Sequence, residues 1–185
     1  MIYPIVAYGH PVLKTRGKDI NKGEMDVKTL VDDMFETMYN ANGVGLAAPQ
    51  IGKSLRLFVI DTDPIDDEED QPKVKQAFIN PQILDEDGEE WAFEEGCLSI
   101  PNIREDVNRK PNIRIKYFDE NWEEHEEEYD GFVARVIQHE YDHIEGILFT
   151  DHVSAFKKRI LKGKLGNISK GKVSADYKMI FPLKK

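Results

Sequence analysis

Apolar residues first recur at helical spacing in Val27, Leu30, Val31, Met34 and Met38, directly after Asp26, a residue suited to capping a helix N-terminus. The pattern predicts a helix ending near residues 40–43, where Asn and Gly accept left-handed backbone angles. The apolar run at 55–60 predicts a buried strand. Short strands are expected at 77–80 and 83–84, bracketed by Pro81 and Gly88. Residues 113–118 alternate apolar and polar, and Asp119-Glu120-Asn121 then turns the chain into a further strand from Trp122. A second helix is predicted from a cap at Asp130 to about His143, stopped by Gly146. The tail from Ser154 reads two ways: Phe156, Ile160 and Leu161 suggest a helix, which Gly163 and Gly166 weaken, and 178–181 reads as a last strand. Strands followed by one central helix predict an α+β fold, with antiparallel or mixed sheets around that helix, rather than a doubly wound sheet.

Composition narrows this picture. A chain of 185 residues suits one compact domain over 1–185. No run approaches the roughly 18 apolar residues of a membrane span, and the first ten residues lack the layout of a secretory or transit signal. One cysteine cannot form an internal disulfide, which suits a reducing compartment, so a cytoplasmic protein is expected. The net charge of −10 argues against a DNA-binding surface. Charge is nevertheless uneven. Acids crowd into 61–70, 85–90 and 123–130, whereas 157–172 is basic and leaves room for a transient ribosome contact. Residues 61–76, with Pro64, Pro72 and many acids, read as an acidic surface loop or insertion.

The chemistry concentrates in His139-Glu140-Tyr141-Asp142-His143, an HExxH pattern. On a helix the two imidazoles share a face and can bind one ion, and Glu140 lies beside that face, placed to handle the proton of a water. Phe132 and Val136 precede His139 by seven and three residues, so the ligand face is also the apolar face.

A catalytic ion needs a third protein ligand and an open position. The third His of metzincins would fall at Phe149, and no Glu follows Glu145 to serve as in gluzincins. Asp151 and Asp176 keep an aspartate-ligated endopeptidase open, and His10, His125 or His152 keep open a closed, non-catalytic site. Cys97, in Glu95-Gly96-Cys97-Leu98-Ser99-Ile100-Pro101, is the attractive candidate: Gly96 permits close backbone packing and Pro101 stiffens the segment beyond it. Glu95 needs a partner beside a thiolate, and Arg104 is a candidate. Gln138 either braces the site or faces solvent.

Three segments together carry a resemblance. Gly43-Val44-Gly45-Leu46-Ala47-Ala48-Pro49-Gln50, Glu95-Gly96-Cys97-Leu98-Ser99 and Gln138-His139-Glu140-Tyr141-Asp142-His143 are similar to the three signature motifs of the peptide deformylases, in that family's order. The opening, with Ile5, Gly9, Pro11, Val12 and Leu13, and Gly146-Ile147-Leu148-Phe149 are also similar, so the likeness runs from about 1 to 153. The resemblance implies a hydrolase that removes the formyl group from N-formylmethionyl peptides. The metal ligands would be Cys97, His139 and His143, the general base Glu140, and the oxyanion donors Gln50 and the Leu98 N–H. Val44, Gly45 and Gly96 would bond an extended peptide, and Val44, Phe93, Glu95, Phe132, Val136 and the His139 ring would shape the methionine pocket. It further implies one divalent ion, natively Fe²⁺, with Zn²⁺, Co²⁺ or Ni²⁺ able to replace it. The segment 154–185 departs from the long helix that ends ribosome-docking bacterial deformylases, and the family supplies no role for 61–76.

Overall fold

The computed structural model describes residues 1–63 and 72–183. The chain runs β1 (Ile5–Val6), α1 (Val27–Asn40), β2 (Gly45–Ala47), β3 (Leu57–Asp61), β4 (Lys75–Asp87), β5 (Trp91–Cys97), β6 (Ile100–Arg109), β7 (Asn112–Phe118), β8 (Glu124–Tyr129), α2 (Gly131–Ile144), α3 (Ala155–Ser169) and β9 (Met179–Ile180), with 3-10 turns at Pro11–Lys14, Ala48–Ile51 and Phe149–Asp151. Five strands form an antiparallel sheet in the order β2-β3-β4-β7-β8. The β5–β6 hairpin stands apart, and β1 pairs with β9 in parallel. This is the expected α+β architecture.

The period-two alternation of the strands decides where each helix packs. Leu57, Val59, Ala77 and Ile79 face α1, meeting Leu30, Val31, Met34 and Met38. Phe58, Ile60, Phe78, Ile113 and Ile115 face the other way and meet Val133, Ala134, Val136 and Ile137 of α2. The HExxH helix is therefore pinned by its apolar stripe to the inner sheet face. A third cluster joins Leu13, Ile100, Ile103, Val107, Leu148 and Phe149 to Leu161, Leu165 and Ile168 of α3.

Helix α1 starts as expected, with Asp26 accepting from the Thr29 N–H at 3.1 Å, and the chain leaves it through Asn42 at φ +54°. Asp130 occupies the N-cap of α2 but its side chain makes no capping bond, and Gly146 at φ +76° turns the chain out of that helix.

Three expectations need correction, and one that was open is resolved. The strands expected at 77–80 and 83–84 are one strand, β4, which absorbs Asn80 (φ +49°) and Pro81 at a break in its pairing with β7. The strand expected from Trp122 begins at Glu124, because Trp122 sits in the turn at φ +63°. Of the expected loop 61–76, residues 64–71 lie outside the described residues; Asp61 is buried at the end of β3, and Lys75 and Gln76 belong to β4. The tail from Ser154 forms a helix straight through Gly163 and Gly166, both of which face open space. Two interior glycines cost about 1 kcal/mol each relative to Ala, which burial of Leu161, Leu165 and Ile168 offsets. Among the described residues no helix is long and apolar enough to cross a membrane.

Candidate active site

Helix α2 delivers His139 and His143 from one face, and the end of β5 brings Cys97 against them. The Cys97 Sγ lies 3.3 Å from His143 Nε2, the two imidazole rings are 5.1 Å apart, and the ligand atoms of Cys97, His139 and His143 all fall within 4.8 Å of one another. That spacing is close to what one ion with bonds of about 2.0–2.3 Å requires. A soft thiolate with two imidazoles suits a divalent transition metal. Burial, with His139 alongside, pushes the His143 imidazole well below its ordinary value, towards the neutral form that can donate a lone pair. The residues present thus fit a metal ion.

The second layer is built on Glu95. This buried carboxylate receives His139 Nδ1 at 2.8 Å, the Arg109 fork at 2.8 and 3.0 Å, and Arg135 Nη1 at 2.8 Å. Burial alone would raise its pKa, but the bonds from His139 and Arg109 outweigh that and hold it well below the carboxylate range. Holding Nδ1 leaves Nε2 of His139 for an ion, the usual way a carboxylate orients a ligating histidine. Arg109 continues to Asp142 at 2.8 Å, and Asp142 to His152 Nε2 at 2.7 Å.

Glu140 is buried, and its Oε2 has no hydrogen-bond partner among the described residues. Burial first, and the charge of Glu95 after it, raise its pKa to about 7, against the opposing pull of His139. A carboxyl poised there can take a proton and return it near neutral pH. Gly45 makes room for it, since a Cβ at that position would lie 2.4 Å from Glu140 Oε1.

Gln50 is fixed in the 3-10 turn after β2: its Oε1 accepts from the Ala47 N–H at 2.9 Å, while Nε2 points to Cys97 Sγ at 3.4 Å and Ser99 Oγ at 3.3 Å. Leu98 lies on the turn between β5 and β6, packed so near Gly43 that a Cβ there would meet its Cδ1 at 2.9 Å.

A cleft of about 1150 Å³ opens over these groups, lined by Val44, Gly45, Gln50, Phe93, Glu95, Gly96, Cys97, Leu98, Phe132, Val136, His139 and Glu140. The residues that the resemblance assigned to the ion, the base, the oxyanion donors and the peptide therefore meet at one place, with His143 buried beside it. Phe93 and Phe132, with ring centroids 5.7 Å apart, form an aromatic wall.

Some expectations do not hold. Arg104 is not the partner of Glu95; it reaches the exposed Glu94 at 3.6 Å, and Arg109 and Arg135 take the buried carboxylate instead. Arg135 carried a readable signal, standing four residues before His139 on the same helix face. Gln138 is buried and braces the helix, donating to the Lys110 and Ala134 carbonyls at 3.0 and 3.1 Å. Neither His10, His125 nor His152 joins the Cys97 group: His10 accepts from the Val12 N–H, and the others pair with Asp119 and Asp142. Sequence reasoning also missed Tyr177, whose hydroxyl donates to the Leu98 carbonyl at 2.7 Å and whose pKa burial pushes up to about 12.

Comparison with known proteins gives a consistent result. The family described as polypeptide deformylase matches residues 2–159. The peptide deformylase of Cytophaga hutchinsonii is 64% identical over 185 residues, covering 100% of both chains. A crystal structure of a peptide deformylase from Legionella pneumophila superimposes with a TM-score of 0.81 at 37% identity, covering 93% of this chain and 98% of that one. A Met-Ala-Ser-bound class I type b peptide deformylase from Acinetobacter baumannii does so with a TM-score of 0.78 at 35% identity, covering 83% and 99%.

Proposed function

The chain belongs to the polypeptide deformylase family, metal-dependent hydrolases that remove the N-formyl group from nascent peptides, and from that premise we propose how its residues do so. Cys97, His139 and His143 hold one divalent ion, natively Fe²⁺, with Zn²⁺, Co²⁺ and Ni²⁺ able to take its place. When bound, such an ion would supply Lewis acidity towards water and a carbonyl oxygen. Glu140 takes the proton from the attacking water and returns it to the departing amine. The Gln50 side-chain amide and the Leu98 N–H donate to the oxygen that becomes negative as the formyl carbon turns tetrahedral.

The peptide lies extended between β2 and β5, bonded by the backbone of Val44, Gly45 and Gly96, with its methionine side chain among Val44, Phe93, Glu95, Phe132, Val136 and the His139 ring. The size of the cleft and the Met-Ala-Ser peptide bound by the Acinetobacter relative support this placement. The lone cysteine supports a cytoplasmic location. The basic face of α3, with Phe156 and Ile160 exposed, supports a transient ribosome contact.

One observation carries the reading: three ligand atoms gathered beside a buried carboxyl oxygen that has no hydrogen-bond partner among the described residues. The test is anaerobic purification with elemental analysis, followed by formate release from a formyl-Met-Ala-Ser peptide. One equivalent of iron and rapid release of formate are expected. Cleavage of internal peptide bonds without formate would overturn the assignment of these roles.

A further inference from the structure

We propose that Tyr177 is a positioning residue for deformylation, its hydroxyl fixing the Leu98 carbonyl and with it the turn that presents the Leu98 N–H. The inference rests on the proposed role of Leu98 as an oxyanion donor.

The turn needs an outside anchor. Pairing between β5 and β6 is regular from Trp91–Arg109 to Gly96–Arg104, then breaks, and Cys97 faces Ile100 with only Leu98 and Ser99 between them. At such a break the ladder no longer sets the peptide planes; whatever takes their carbonyls does. The Ser99 carbonyl accepts from the Tyr8 N–H at 2.9 Å, the Ser99 hydroxyl accepts from Gln50, and the Leu98 carbonyl accepts from the Tyr177 hydroxyl at 2.7 Å. Rotating the Leu98–Ser99 peptide would break the Tyr177 bond. The Leu98 N–H belongs to the preceding Cys97–Leu98 peptide and is joined to that carbonyl through the Leu98 Cα, so the Tyr177 bond acts on it by restricting the backbone angles at Leu98.

Tyr177 is itself held. It precedes β9, whose Met179 and Ile180 pair with Ile5 and Val6, and the Ser174 carbonyl three residues earlier accepts from Asn102 Nδ2 at 3.0 Å. The tail therefore brings a fixed donor to the turn from beyond residue 159, where the family match ends. Its hydroxyl touches the carbonyl side of Leu98, so it acts on the reaction through Leu98.

The test is Tyr177→Phe in the metal-loaded enzyme, which removes one oxygen and leaves the ring packed. We expect kcat for formyl-Met-Ala-Ser to fall about two- to tenfold, the scale of one neutral hydrogen bond, with KM within about twofold and metal content unchanged. A lowered Tm with unchanged kcat would overturn the proposal and leave Tyr177 a clamp on the tail. The Leu98 amide proton of the zinc-loaded enzyme separates the two readings when a hydroxamate analogue of methionine is added. A downfield shift in the wild type that shrinks in the variant supports the proposal. Equal shifts in both overturn the role of Tyr177 alone, and no shift in the wild type overturns the role of Leu98 as well. Should the variant not fold, the wild type suffices: the Tyr177 hydroxyl proton should exchange slowly and show a nuclear Overhauser contact to Leu98, and rapid exchange with water would overturn the proposal.

Discussion

Glu95 Oε1 sits 2.8 Å from Nδ1 of His139, so a carboxylate outside the proposed ligand set decides which imidazole nitrogen is left to face the proposed metal position. The same carboxylate pairs with both Arg109 and Arg135, tying the β5–β6 hairpin to α2. Glu95→Gln keeps the shape and removes the charge. Metal affinity should fall about 10- to 100-fold. Stability should fall by about 3–5 kcal/mol, because the buried Arg135 guanidinium loses its counter-charge and Arg109 is left with Asp142 alone. Competitive chelation and denaturant melts measure the two effects separately; unchanged metal affinity would mean that Glu95 serves only the fold.

Glu140 is close to the proposed ligands without being one, and that separates its substitution from theirs. Glu140→Ala should retain the metal and lose at least about a hundredfold in kcat, the lower end of what a positioned proton carrier contributes. Cys97→Ala should instead lose metal, and Cys97→Ser should also impair turnover, since a hydroxyl does not supply the thiolate charge. Elemental analysis beside formate release distinguishes the two classes. Full activity in Glu140→Ala would remove it as the base.

The β7–β8 turn carries a pH-dependent contribution to stability, remote from the active site. Asp119 accepts from the Asn121 and Glu123 N–H groups at 2.8 and 3.0 Å and from His125 Nε2 at 2.9 Å, while the His125 ring stacks on Tyr117. The Asp119 bond first, and the charges of Glu127 and Glu123 after it, raise the His125 pKa above its ordinary 6.5. Burial would raise Asp119 above 3.8, but the bonds from His125 and the two backbone N–H groups outweigh it and lower it. The histidine contribution is complete below 6.5 and is lost as pH rises through the raised value. The aspartate contribution is complete above 3.8 and is lost as pH falls through the lowered one. Tm should therefore decline from about pH 6 to 8.5 less steeply in His125→Gln than in the wild type, and NMR titration should place the His125 midpoint above 6.5. A midpoint at or below that value would refute the assignment.

Helices α1 and α2 were legible because each buries one stripe, and periodicity reports burial. The β5–β6 hairpin was not. Its exposed positions, Glu94, Arg104 and Asp106, and its central Gly96 and Pro101 hide the alternation of Ile103 and Val107, which bury against α3, an element about 50 residues later. The paired histidines could be read from their spacing. Cys97 could be singled out only through its neighbours and the family pattern, because a lone cysteine is usually an inert core residue. Arg109 and Tyr177 were out of reach, since nothing local marks an arginine that will cross to a carboxylate on the next strand, or a tyrosine that will return to a turn 79 residues earlier.

Gly45 offers the sharpest test of how tightly the base is held. A Cβ there would lie 2.4 Å from Glu140 Oε1 and 2.8 Å from both Cγ and Cδ, closer than real side chains approach, so something must shift. Strand β2 is fixed by its pairing with β3, and the α2 backbone by its buried face, so the carboxyl should yield. The proposed metal ligands on α2 and β5 are untouched, so Gly45→Ala should bind metal normally while kcat drops by up to about a hundredfold, the effect of misplacing a reacting group by roughly 1 Å. In the Glu140→Ala background the same change should cost little more, because residues that act as a unit do not add. Additive losses in the double variant would mean that Gly45 acts on substrate binding rather than through Glu140.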